Sequence, residues 1–147
     1  MDKPRFVYVV YISTTPEKLW NALLDSKMTA QYWQHDNVSD WKPGSRWEHR
    51  TSDKERTLHL VGKVVESSPP RRLVLTWAAP ADEAHEKKHS RVTFEIEPVR
   101  DVVRLTVTHD DLEPGSEMIE GITKGWPKVL SSLKSLLETG RALPKLW

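Results

Sequence analysis

Residues 118–137 read MIEGITKGWPKVLSSLKSLL, and the rest of the chain is organised around them. Met118, Ile122, Trp126, Val129, Leu130, Leu133 and Leu137 recur at steps of three and four, which predicts an amphipathic helix with one broad apolar stripe. Gly140 supplies a left-handed stop, and Lys134 and Arg141 suit the negative end of the helix dipole. Counted from Ser116, the helix spans roughly 30 Å at ~1.5 Å per residue, enough to lie across a small sheet. Pro127 lacks an N–H and collides with the carbonyl of Thr123, while Gly121 and Gly125 weaken the same turns. A kink or a broken first segment is therefore expected.

Immediately upstream, Val103, Leu105, Val107 and His109 alternate with polar residues, as do Val92, Phe94 and Ile96. Both runs predict strands with one apolar and one wet face. Glu113-Pro114-Gly115-Ser116 leads into the helix, with Ser116 as the candidate cap. Further back, Leu73, Leu75 and Trp77 predict a strand, followed by a charged loop from Ala78 to Lys88 that is expected to be the most mobile segment. Leu58–Glu66 and Arg46–Thr51 form two more arms, and Gly62 marks a candidate bulge or a bend where a curved sheet needs one. Lys42-Pro43-Gly44-Ser45 has the residues of a type II turn. Phe6–Ile12 is a Val- and Tyr-rich strand. After it, Thr14 and Glu17 have capping-box spacing ahead of a short helix ending near Asp25, and a helical turn follows over Thr29–Trp33.

The order is strand, two short helices, five strands and one long helix: an α+β plan with an antiparallel sheet. One helix cannot fill the concave side of so many curved strands, so a cavity between helix and sheet is expected.

With 147 residues, a single domain is expected, burying about 68–70% of its unfolded surface. Twenty-two basic against twenty-one acidic residues give a net charge of +1, which argues against nucleic acid as a partner. The absence of cysteine excludes disulfides, thiolate metal sites and a cysteine nucleophile. Met1–Arg5 is charged rather than signal-like, and Phe6–Ile12 is too short to span a bilayer. A cytoplasmic protein is expected.

These residues resemble the Aha-type branch of the START-like, or SRPBCC helix-grip, superfamily, named for an activator of a heat-shock-protein ATPase. The resemblance rests on Thr15-Pro16-Glu17-Lys18-Leu19-Trp20, Tyr32-Trp33, Asp40-Trp41-Lys42-Pro43-Gly44-Ser45, Gly62-Lys63-Val64-Val65-Glu66, Pro69-Pro70-Arg71-Arg72-Leu73 and Gly125-Trp126 with Leu130, Leu133 and Leu137. It covers roughly Arg5 to Leu143. It implies a curved antiparallel sheet wrapped around the long helix, and containers for lipids, sterols or polyketides among its wider relatives. It also implies a chaperone-interaction or stress-response module as the alternative, although the name-giving co-chaperone carries an extra amino-terminal domain that no stretch here matches. Some branches are cyclases or hydroxylase components.

The expected ligand is a small hydrophobic or amphipathic molecule held between helix and sheet. The candidate ligand-binding residues are Trp47, His49, Leu60, Trp77, Phe94, Leu105, Val107, His109, Met118, Ile122 and Trp126. Trp47, Trp77 and Trp126 suit either a pocket wall or plain core filling. His49 and His109, with Asp110 and Asp111 following, admit a histidine–carboxylate base, but no nucleophile or second acid accompanies them. A buried, hydrogen-bonded histidine is the commoner arrangement. His85 and His89 have i,i+4 spacing without a third metal ligand. No catalytic residue, metal or cofactor is assigned, and the exposed strand edges are compatible with a monomer or a homodimer.

Overall fold

The computed structural model describes residues 3–147, so the charged start read over Met1 and Asp2 lies outside the described residues. Seven strands form one antiparallel sheet: β1 (Phe6–Ile12), β2 (His35–Val38), β3 (Arg46–Thr51), β4 (Leu58–Ser68), β5 (Arg72–Trp77), β6 (Ser90–Val99) and β7 (Val102–Asp110). Their spatial order is β1-β7-β6-β5-β4-β3-β2. After β1 come two short helices, α1 (Pro16–Leu24) and α2 (Ser26–Trp33), and α3 (Glu117–Thr139) closes the chain. The curled sheet grips α3, giving the expected helix-grip, α+β architecture.

The interior follows from the alternation. Ile12, Leu73, Leu75, Val92, Phe94, Ile96, Val103, Leu105 and Val107 are buried on the sheet against Ile122, Trp126, Val129, Leu130, Leu133 and Leu136 of α3. At ~25 cal/mol per Å² of apolar surface, each such side chain stabilises the fold by about 1.5–3 kcal/mol. In the last turns Leu136 is the buried residue and Leu137 the partly buried one, which shifts the predicted stripe by one position. The helix is unbroken through Pro127, contrary to the expected broken segment, and Gly140 at φ 81° ends it as anticipated.

Several local readings change. Strand β2 escaped prediction because His35, Asp36 and Asn37 show no hydrophobic alternation. Thr15, rather than Thr14, caps α1, its Oγ1 accepting from the Lys18 N–H at 3.2 Å. Proline at position 16 favours an extended residue before it, which is the conformation a cap needs. Helix α2 begins at Ser26, three residues early, because Asp25 Oδ1 accepts from the Lys27 N–H. Ser116 holds the cap position of α3, but its hydroxyl makes no cap bond.

Gly62 marks close approach rather than a bulge. A Cβ there would lie 1.9 Å from the Thr76 carbonyl oxygen and 2.5 Å from Trp47 Nε1. The register breaks fall instead between His49 and Arg50 and between Val64 and Glu66. The Ala78–Lys88 loop contains two short 3₁₀ turns and is pinned from its end. There His89 lies 3.1 Å from the Thr76 hydroxyl through Nδ1, and 3.1 and 3.0 Å from the Asp82 and Glu83 carbonyls through Nε2.

Candidate functional site

The sheet and α3 leave a chamber of about 230 Å³ between them. Helix α2 delivers Trp33 to one wall, β3 delivers His49, and β4 and β5 deliver Leu60 and Trp77. Met118, Gly121, Ile122, Gly125, Trp126 and Val129 line the opposite side from α3. The lining is dominated by aromatic rings. Trp33 lies 4.7 Å from His49, 6.1 Å from Trp77 and 5.5 Å from Trp126, centroid to centroid. Trp77 and Trp126 are also 5.5 Å apart. Offset and tilted rings at these separations are the favourable geometry for aromatic packing.

Two further openings adjoin this chamber. One, about 620 Å³, shares Leu60, Trp77, Met118 and Gly121 and is bordered by His59, Asp82, Lys88, Glu113 and Glu117. The other, about 240 Å³, shares Trp33, Gly121, Gly125 and Val129 and is bordered by His35, Lys124, Lys128 and Trp147.

Six of the sequence-predicted residues, His49, Leu60, Trp77, Met118, Ile122 and Trp126, line the chamber. The other five do not. Trp47 is fully buried behind Trp77, with its Nε1 donating to the Thr76 carbonyl at 2.8 Å. Phe94, Leu105 and Val107 belong to the packed layer beneath, Phe94 meeting the edge of Trp126.

His109 is fully buried in a hydrogen-bonded chain. The Trp126 N–H donates to its Nδ1 at 3.1 Å, so the ring's proton is on Nε2, which meets the Ser90 hydroxyl at 2.8 Å. Ser90 in turn donates to the Trp77 carbonyl at 3.1 Å. Burial lowers the His109 pKa to about 4, so the ring is neutral at ordinary pH and both nitrogens are engaged. His49 is likewise held well below its ordinary range by burial, then by the neighbouring His35 and His59. Its Nδ1 is paired with Asn37 Oδ1 at 2.5 Å, and its ring stacks on His35 at 4.1 Å. Neither histidine is hydrogen-bonded to a carboxylate; their partners are Asn37, Ser90 and Trp126.

Sequence reasoning missed Trp33 as a wall residue, and also His35 and His59. His35 Nδ1 lies 2.8 Å from the Trp33 carbonyl, and its Nε2 lies 3.0 Å from His59 Nδ1. Burial is the main cause of the lowered His35 pKa. Tyr32-Trp33 closing a short helix was the available signal, but no periodicity ties them to a cavity in so brief an element. Among the described residues, no group of three His, Asp or Glu side chains is gathered as metal ligands, and no helix is long and apolar enough to cross a membrane.

The comparisons agree with the fold. The solution structure of the Aha1 dimer from Colwellia psychrerythraea is similar at 21% identity, covering 95% of this chain and 99% of that one with a TM-score of 0.79. Protein MLL2253 from Mesorhizobium loti is 26% identical over 91% of this chain and 96% of its own, with a TM-score of 0.73. CalU16 from Micromonospora echinospora is 17% identical over 94% and 78% of the two chains, with a TM-score of 0.72. A comparison with curated proteins finds no match. The sequence profile described as Activator of Hsp90 ATPase homolog 1-like protein matches residues 13–138, and the chain belongs to that family.

Proposed function

We propose that this chain binds a small, largely apolar molecule in the chamber between α3 and the sheet, and performs no covalent chemistry on it. The supporting observation is the chamber itself, walled by Trp33, Trp77 and Trp126 with aliphatic side chains from β4 and α3. An apolar cavity of about 150 Å³ takes up benzene. A 230 Å³ chamber joined by two openings that follow one another along α3 admits a larger ring system. Burying such a ligand corresponds to micromolar affinity, ~8 kcal/mol. The engagement of His109 and the low basicity of His49 support the non-catalytic half of the reading.

Mass spectrometry of the purified protein, under native and then denaturing conditions, tests it. A stoichiometric small molecule released on unfolding is the expected result. A protein that is empty as isolated, and that also takes up no apolar aromatic compound when titrated, contradicts it.

Family membership favours a second reading, a module that contacts a chaperone through its surface. Under that reading the chain raises the chaperone's ATP turnover on addition, and unchanged turnover with no co-purification removes it.

A further inference from the structure

Gly121 and Gly125 have no local reason to be glycine. Neither adopts a left-handed backbone, and a Cβ on either would meet nothing within 4 Å. Each costs the helix about 1 kcal/mol relative to alanine. Close packing does not explain that cost, because there is nothing for the missing side chain to avoid. What the two positions share is open space: Gly121 borders the chamber and both openings, and Gly125 borders the chamber and the smaller opening. Spaced i,i+4, they cut a notch in one face of α3.

The two openings differ in charge. Asp82, Glu113 and Glu117 border the larger one, where the Lys88 ammonium is 3.7 Å from Asp82. The smaller one is bordered by Lys124 and Lys128, with no acidic side chain among its lining residues. Lys124 is paired with Glu120 at 3.1 Å. Among the described residues, Lys128 has no carboxylate within 4.0 Å. The lysines follow the glycines by three residues each, so the cations flank the notch. An anion is thus repelled at one opening and attracted at the other.

We propose that the ligand is an anionic aromatic amphiphile, with its planar body among Trp33, Trp77 and Trp126 and its carboxylate emerging across Gly121 and Gly125 beside Lys128. This rests on the ligand-binding reading above and adds the ligand's chemical class and orientation. The tryptophan walls suit a flat ring better than a flexible chain, because stacking orders little rotamer freedom.

The test titrates the protein with 2-naphthoate and with 2-naphthylmethanol, the same ring system with and without the charge, following binding by calorimetry at low salt. Naphthoate is expected to bind about fivefold more tightly, the ratio a partly exposed ion pair of about 1 kcal/mol gives. Lys128→Gln is expected to remove that preference and leave the alcohol's affinity unchanged. Gly125→Leu fills the notch and weakens both ligands, while its melting temperature does not fall because leucine is the better helix former. Equal affinities in the wild type, or a preference that survives in Lys128→Gln, overturn the orientation and leave the container reading intact. If neither compound binds the wild type, the proposal falls together with that reading.

Discussion

The indole N–H of Trp126 donates to Nδ1 of His109 at 3.1 Å, joining the cavity face of α3 to the interior of β7. Trp126 thereby forms part of the chamber wall and also fixes the tautomer of a buried histidine.

Trp126→Phe keeps an aromatic wall but removes the donor. Leaving buried Nδ1 unpaired is expected to cost about 1–2 kcal/mol in urea unfolding. It also frees the ring to carry its proton on either nitrogen, so the Nδ1-protonated tautomer becomes populated, which the ring nitrogen chemical shifts of His109 read directly. Ring shifts that still report the proton on Nε2 alone would show that the bond does not hold the tautomer.

Stability is expected to fall on acidification in a defined window. His109 titrates at about 4 in the folded protein, against 6.5 for an ordinary histidine, because burial disfavours its charge. The unfolded chain therefore takes up the proton first. The contribution of His109 is complete above its unfolded pKa of 6.5 and is lost as the pH falls from there through about 4. Between pH 7.5 and pH 5 this residue alone is expected to remove about 2 kcal/mol, and His49, lowered in the same direction, adds to the loss. Urea unfolding of the wild type and of His109→Gln at both pH values measures the difference, and equal losses in the two proteins would contradict the assignment.

Gly62→Ala is expected to destabilise by about 3 kcal/mol, combining overpacking with loss of a buried hydrogen bond. The new Cβ collides with the Thr76 carbonyl and with Trp47 Nε1, whose bond to that carbonyl is 2.8 Å long. Chemical denaturation gives the value, and a loss below about 0.5 kcal/mol, the ordinary range for a neutral surface change, would mean the strands separate at little cost.

The helix-grip plan was legible because its long elements repeat cleanly. Leu105 and Val107 alternate in β7, and Ile122, Trp126, Val129 and Leu133 keep helical period, so pattern and packing coincide. The chamber was only half legible. Inward alternation places Leu105 and Leu60 on the same concave face, yet Leu105 is packed in the core and Leu60 lines the cavity, a distinction that alternation along single strands does not carry. Asn37 shows the same limit at β2. It is a buried polar residue whose side chain pairs with His49, and no hydrophobic pattern announces a strand built for that purpose.

The seven tryptophans offer the most direct test of the chamber, since each carries one indole N–H visible in a nitrogen–proton correlation spectrum. During titration with 2-naphthylmethanol, the signals of Trp33, Trp77 and Trp126 are expected to shift together along a single saturable curve, while those of Trp20 and Trp41 remain in place. Saturable shifts confined to tryptophans outside the chamber, or no shift at any of them, would contradict the account.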